Sequence, residues 1–260
     1  MKNKRLIILL SIFAFLVLIA VLCSTVFTVR VVSVDWVTNK VSFDVADSEI
    51  ANDVKKGESV FLVNKKSIKE KLEADYPYIK ITGLEIKFPN KLVVHAAERQ
   101  ELYSIKIKDN LHYILDGEGK VLRKSDDANL NGAIPIAMVD YQFEEKSFEI
   151  AKIADLGVAS NVISSLTKAC YANNYADVDI KNNISGVSID VSGYNANLTI
   201  TLDKVNIKIN KLTVNLLEKI KLGVAVYDKR DSAERANGFA ITVYDSPTEK
   251  GKVVAEYSPE

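Results

Sequence analysis

Cys170, His112 and Arg230 are the residues whose types could together carry out covalent chemistry, because a cysteine nucleophile is activated by a neighbouring base such as histidine. A reactive cysteine needs an accessible environment that favours the thiolate. Cys170 instead falls on the apolar face of a predicted helix, in the segment Leu166-Thr167-Lys168-Ala169-Cys170. We therefore expect Cys170 to serve packing rather than catalysis.

Other kinds of catalytic or metal site lack their sequence signals. Neither His95 nor His112 has a Cys or His neighbour at the spacing of metal ligands. Cys23 lies in an apolar run, which leaves Cys170 without a disulfide partner in the rest of the chain. The chain has no glycine-rich phosphate loop and no nucleophile-elbow motif. We therefore expect no cofactor, no metal, no small-molecule substrate and no enzymatic activity.

The composition excludes three further classes of protein. Hydrophobic residues make up 48% of the chain and charged residues 26%, which fits neither a disordered chain nor a polytopic transporter. The 34 basic residues equal the 34 acidic residues, and this balance argues against a nucleic-acid-binding protein.

The N-terminal segment predicts one membrane anchor that positions everything after it. Residues Leu6 to Phe27 contain no charge, Pro or Gly, and a helix of 22 residues spans about 33 Å, enough for a hydrocarbon core of about 30 Å. A cleaved signal peptide is the alternative, but its apolar region has only about 7–15 residues. Three basic residues in the tail 1–5 predict a cytoplasmic N-terminus and an extracytoplasmic remainder.

The first exterior unit is predicted to have the order β-α-α-β-β. A strand is predicted from Thr28 to Val37, and two more strands flank a Pro89-Asn90 turn. Two helices lie between the first strand and the other two. The first helix is predicted to be capped by Asp47 and Ser48 and to end with Gly57 as its C-terminal cap. The second is predicted to begin with a capping box from Ser67 to Glu70 and to end at Pro77.

This order resembles a POTRA module, a small sheet covered on one face by two helices. With the single anchor before it, the unit is similar to the FtsQ/DivIB cell-division family. The residues that carry the resemblance, which spans about 1–122, are Gly57, Val60-Phe61-Leu62-Val63, Tyr76-Pro77, Phe88-Pro89-Asn90-Lys91-Leu92-Val93-Val94, Glu98-Arg99 and Tyr113-Ile114-Leu115-Asp116-Gly117-Glu118-Gly119-Lys120-Val121-Leu122.

The second exterior unit is predicted to be a mixed β-sheet with two flanking helices. One helix is predicted from the apolar stripe between Val158 and Cys170, and the other from Lys211 to Leu222 with Gly223 as its end. Alternating apolar residues predict strands near 187–191, 198–202, 205–209 and 239–243. The order resembles the β-domain of the same family, so the expected fold class is α+β.

A terminal edge strand is the expected partner surface. The predicted domains are a cytoplasmic tail at 1–5, a transmembrane helix at 6–27, a POTRA domain at 28–98, a β-domain at 99–251, and an edge strand and tail at 252–260. An edge strand presents unpaired backbone groups that can pair with another chain. In the resembled family this region receives small bitopic proteins of the FtsB/DivIC and FtsL type. The resemblance therefore implies partner contacts at Lys252, Val253, Val254, Ala255, Glu256 and Tyr257.

The resemblance implies a non-enzymatic scaffold of the bacterial divisome, held at the cell membrane and concentrated at the division septum. Tyr257 would then anchor the partner, or it would merely pack on the sheet. One alternative is a sortase-like transpeptidase, although the segment at Cys170 does not match the Thr-Leu-x-Thr-Cys motif of sortases. A second alternative is an export or secretion assembly component, a class that usually carries several tandem POTRA modules.

Overall fold

The structure is a computed structural model that describes residues 2–37, 45–126, 130–139, 141–193 and 195–259. The chain divides into two compact units, Met1–Arg99 and Gln100–Glu260. Each unit has a buried hydrophobic cluster of its own. Glu260, the last residue of the predicted tail, lies outside the described residues.

The first unit begins with helix α1, Lys2–Thr25, which contains Leu6 and most of the predicted anchor. Its side chains at residues 7–21 are all exposed. Within the described ranges, no helix combines the length and the apolar character needed to cross a membrane. Phe27, the last residue of the predicted anchor, follows α1 and is half-buried.

The rest of the first unit has the predicted β-α-α-β-β order. Its elements are β1 (Val31–Trp36), α2 (Asp47–Asp53), α3 (Lys65–Asp75), β2 (Ile79–Lys87) and β3 (Lys91–Glu98). In the part of the chain that the structure describes, these strands form one sheet with the order β1-β3-β2, in which β1 is parallel and β2 antiparallel to β3. Leu92 and Val94 alternate onto one face of β3, where they pack with Ile50 of α2 and Leu72 of α3.

Three helix boundaries in this unit differ from the predictions. Helix α2 begins at Asp47 with Ala46 at its N-cap position, so neither Asp47 nor Ser48 caps it. Helix α3 begins at Lys65, before Ser67, because the Asn64 side chain caps it by accepting a hydrogen bond from Ser67 N (3.1 Å). Gly57 does not cap α2, which ends at Asp53. It lies in the following loop with φ +91°, a conformation that glycine adopts without strain.

The second unit is a mixed sheet covered by helices. Its strands are β4 (Tyr103–Lys108), β5 (Leu111–Leu115), β6 (Val121–Ser125), β7 (Ile134–Val139), β8 (Ile184–Asp190), β9 (Asn197–Leu202), β10 (Val205–Asn210), β11 (Phe239–Asp245) and β12 (Val253–Pro259). Its α-helices in the described residues are α4 (Val158–Ala172), α5 (Asp177–Asn183), α6 (Leu216–Asp228) and α7 (Ser232–Asn237), where the sequence predicted two. Among the described strands the order is β12-β11-β10-β9-β8-β7-β4-β5-β6. Helix α6 packs on α4 and on β10, β11 and β12.

Helix α6 begins at Leu216 and not at Lys211, and Gly223 lies inside it and does not end it, contrary to the predictions. The helix continues to Asp228 and buries Val224 and Tyr227 beyond the glycine. A Cβ atom at position 223 would lie 2.6 Å from Cγ2 of Ile207 in β10. The glycine therefore allows the helix to approach the sheet closely.

Candidate functional site

Strand β12 lies at one edge of the sheet in the second unit. It is antiparallel to β11, with residue pairs from Phe239↔Pro259 to Asp245↔Val253, and β11 is its only neighbour among the described strands. The structure places Lys252 immediately before this strand. The other residues of the predicted partner surface, Val253 to Tyr257, form most of the strand itself.

Half of the backbone groups of β12 point away from β11. At the start of the strand pair, Ser246 N donates a hydrogen bond to Lys252 O (2.8 Å). In an antiparallel ladder, pairs that exchange hydrogen bonds alternate with pairs that do not, so Val254 and Glu256 direct their N–H and C=O groups toward β11. Within the predicted partner surface, the residues whose backbone groups point outward are Val253, Ala255 and Tyr257.

Tyr257 packs on the sheet and remains partly accessible. Its ring centroid lies 4.9 Å from that of Phe239, and the guanidinium carbon of Arg230 lies 4.6 Å from the same ring. Tyr257 nevertheless keeps 43% of its surface exposed. Part of the ring is therefore held by the protein, and the remainder is available to a partner.

Local contacts within the hairpin already engage two residues of the predicted surface. Lys252 forms an ion pair with Glu249 in the turn, where Ser246 Oγ also accepts a hydrogen bond from Glu249 N (3.1 Å). The Tyr244 hydroxyl of β11 donates to Glu256 of β12, and this hydrogen bond raises the pKa of Tyr244. These contacts stabilise the pairing of β12 with β11.

A buried ion pair holds the C-terminal end of β11, where the hairpin turn begins. Lys219 of α6 has no exposed side-chain surface, and its Nζ lies 2.8 Å from Asp245 Oδ2. The same ammonium donates to the backbone oxygens of Asn210 (2.9 Å) and Lys211 (3.0 Å), so all three of its donors are used. Asn215 Nδ2 donates to Asp245 Oδ1 (3.0 Å). The hydrogen bond from Lys219, with a smaller contribution from Asn215, lowers the pKa of Asp245.

The three candidate residues for cysteine chemistry lie in different settings. Cys170 is completely buried in α4, and burial, with a smaller effect of the Asp228 charge, raises the pKa of its thiol to about 12. Such a thiol is protonated at neutral pH, which disfavours a nucleophilic role. His112 is buried in β5, and Arg230 lies over Tyr257.

His95 lies in the first unit, where it links three strands. Its Nδ1 is 3.2 Å from Asp35 Oδ2 of β1, and its Nε2 is 3.4 Å from Glu85 Oε2 of β2. This position between two carboxylates is typical of a histidine that stabilises a sheet.

Comparisons with known proteins agree with both the fold and the expected family. Residues 44–99 match the family described as POTRA domain, FtsQ-type. The cell division protein DivIB of Clostridium tetani is 30% identical over 198 residues, which cover 74% of this chain and 71% of that protein. The cell division protein DivIB of Clostridium botulinum is 26% identical over 235 residues, which cover 85% of each chain. The resemblance predicted from the sequence is confirmed, and the chain belongs to the FtsQ/DivIB family of cell-division proteins.

Proposed function

We propose that the protein is a non-enzymatic scaffold of bacterial cell division that binds a small bitopic partner of the FtsB/DivIC or FtsL type by strand addition to β12. The observation that carries this proposal is the outer side of β12, where Val253, Ala255 and Tyr257 direct their backbone groups away from β11. An added strand gains affinity from main-chain hydrogen bonds and specificity from alternate side chains.

The side chain of Tyr257 suits an anchor for such a strand. Its contacts with Phe239 and Arg230 hold the ring, while its exposed part can be covered by an apolar residue of the partner. A pre-positioned aromatic ring with a polar tip loses little conformational freedom on binding, and residues of this type are enriched among interface hot spots.

The apolar segment from Leu6 to Phe27 is proposed to hold the protein at the cell membrane, with a cytoplasmic N-terminus, extracytoplasmic domains and accumulation at the division septum. The support is the absence of charge across this segment and the three basic residues in the tail 1–5. Because the partner would be anchored in the same bilayer, its effective concentration near β12 would be high, and a weak strand contact would be well populated.

An Ala255→Pro substitution tests strand addition at β12. Proline at this position removes an outward N–H but no hydrogen bond to β11, so it should prevent pairing with a partner strand. The matched control is Ala255→Ser, which makes a small side-chain change at the same half-buried position and leaves every backbone N–H in place. Co-purification of the full chain with its FtsB/DivIC-type partner in detergent micelles measures the effect.

We expect Ala255→Pro to weaken partner binding by about tenfold or more and Ala255→Ser to change it by less than about threefold. The melting temperatures of the two variants report whether the sheet is intact. Partner binding by a folded Ala255→Pro variant at the level of the control would contradict strand addition.

A further inference from the structure

An exposed apolar cluster lies in the first unit, outside the candidate edge at β12. Phe61 is 59% exposed, Leu62 79% and Phe88 63%. The ring of Phe27 lies 5.5 Å from that of Phe61 and 6.3 Å from that of Phe88, and the latter two are 5.7 Å apart. We call Phe27, Phe61, Leu62 and Phe88 the aromatic cluster. An exposed apolar patch of this kind marks a surface that contacts a protein or a membrane.

Backbone hydrogen bonds tie one loop of the aromatic cluster to the segment that follows α1. Val60 N donates to Phe27 O (2.9 Å), and Gly57 N donates to Val29 O (2.9 Å). The loop at 57–62, which carries two members of the cluster, is therefore held against the first residues after the helix.

A second set of hydrogen bonds ties the turn at 88–90 to the same segment. The backbone N–H groups of Arg30 and Val31 both donate to Asn90 O, at 2.9 and 3.2 Å. Thr25 is the last residue of α1, and the Arg30 guanidinium donates a hydrogen bond to its backbone oxygen (2.6 Å). The end of α1, the following segment and both loops are thus linked, and their apolar side chains gather at one place.

We propose that the aromatic cluster inserts into the lipid–water interface of the bilayer that holds α1. This inference rests on the anchoring role proposed above for Leu6 to Phe27. Phe27 is the last residue of the apolar run and also packs against Phe61 and Phe88, so the cluster lies next to the end of the anchor. Apolar side chains of interfacial segments lie about 5–10 Å deep, at the boundary between headgroups and acyl chains.

The charge beside the cluster also fits a lipid surface. Arg30 has an exposed side chain at the level where α1 ends, and a guanidinium there can pair with lipid phosphate. Insertion at this point would hold the first unit against the membrane instead of leaving it free to swing about the residues after α1.

Tryptophan fluorescence in vesicles tests the insertion at matched positions. The native Trp36 provides the reference, because it lies at the other end of β1, about 17 Å along the strand from Val31. The probe is Phe61→Trp in a Trp36→Phe background. The wild-type protein and this double variant, both full-length, are reconstituted into vesicles of phosphatidylcholine and phosphatidylglycerol. The acyl chains of these lipids are brominated near the headgroup.

We expect the tryptophan at 61 to be quenched at least about threefold more strongly than Trp36. A brominated acyl chain quenches a tryptophan only at close contact, which requires insertion of the side chain at the interface. Leu62→Trp in the same background is a second probe at a more exposed position, and circular dichroism verifies the folding of each variant. Flotation of the vesicles on a density gradient measures anchoring separately.

Protein that floats with the vesicles, but whose probes at 61 and 62 are quenched no more than Trp36, overturns the inference and leaves the anchor standing. Protein that fails to float overturns the anchor and the inference with it. Probes that are shielded from aqueous iodide without being quenched by brominated lipid would assign the cluster to a protein partner, which also overturns the inference.

Discussion

At the scale of single residues, the buried ammonium of Lys219 determines how the end of β11 is held. Asp245 neutralises it, and two backbone oxygens accept its remaining hydrogen bonds. Removal of the carboxylate alone leaves a buried charge without its counter-ion. Replacement of both partners by neutral groups also removes the desolvation penalty of the charge.

We therefore expect Asp245→Asn to lower the free energy of unfolding by about 2–3 kcal/mol, less than the roughly 3–5 of a fully buried pair because the Asp245 side chain is 30% exposed. The double variant Lys219→Met with Asp245→Asn should lose less than the sum of the two single variants. Urea unfolding of the four proteins gives the coupling energy. Strictly additive losses would show that the two side chains do not interact.

The same carboxylate predicts a dependence of stability on pH. The pKa of Asp245 is lower in the folded protein than its ordinary value, so its contribution is fully present above an unfolded-state pKa of about 3.9. That contribution is lost as the pH falls through the folded pKa. Below about pH 4, unfolding free energies should decline more steeply for the wild type than for Asp245→Asn. Parallel pH profiles would refute this assignment.

The thiol of Cys170 should be unreactive in the folded protein, because it is buried and its pKa is raised to about 12. In a Cys23→Ser background, iodoacetamide should alkylate it at least about 100-fold more slowly than in the urea-unfolded chain. Cys170→Ala should lower the unfolding free energy by about 1–2 kcal/mol and leave partner binding unchanged. Rapid alkylation of the native protein would instead favour the sortase-like alternative.

At the scale of elements, the position of α6 on the sheet depends on Gly223. Alanine is the better helix former by about 1 kcal/mol, but its Cβ would lie 2.6 Å from Ile207 Cγ2. We expect Gly223→Ala to lower the unfolding free energy by about 1–3 kcal/mol through overpacking. Gly186→Ala is the control, since its Cβ would meet no atom closer than 3.8 Å. Equal stability losses in thermal unfolding of the two variants would contradict the close approach of α6.

Elements with a local pattern are predictable from the sequence, and elements without one are not. The apolar stripe of α4 and the alternation along β8 to β11 are visible within a few residues. By contrast, β7 contains Pro135 and follows a polar segment, and α7 has no buried residue, so neither has a pattern that predicts it. In the sequence, Gly223 has the usual signature of a helix end. The contact with Ile207 that explains why it lies inside α6 comes from a distant segment and leaves no local pattern.

The candidate site is predictable only in part for the same reason. The segment from Lys252 to Tyr257 is predicted from its apolar residues and from the family resemblance. Its strand order, its outward backbone groups and the contact of Arg230 with Tyr257 depend on tertiary pairing. The aromatic cluster joins three separate segments, and its one local signal is the apolar run at 60–63, which lies in a loop.

At the scale of the whole molecule, each of the two units has its own hydrophobic core, so we expect them to lose structure separately. Leu72 is 1% exposed in the core of the first unit, and Leu72→Ala should destabilise that unit by about 2–5 kcal/mol. Hydrogen exchange of the full chain, read by mass spectrometry, should show reduced protection in residues 45–99 and unchanged protection in the second unit. A matching loss in both units would mean that they unfold together.

Strand addition at β12, which we propose as the mode of partner binding, predicts a change in backbone protection. Amide hydrogen exchange of the full chain with and without the FtsB/DivIC-type partner measures this most directly. Val254 and Glu256, which pair with β11, should be protected in the free protein. The amides of Val253, Ala255 and Tyr257 should exchange at least about 100-fold more slowly once the partner is bound. Unchanged exchange at these three amides in the purified complex would contradict strand addition at β12.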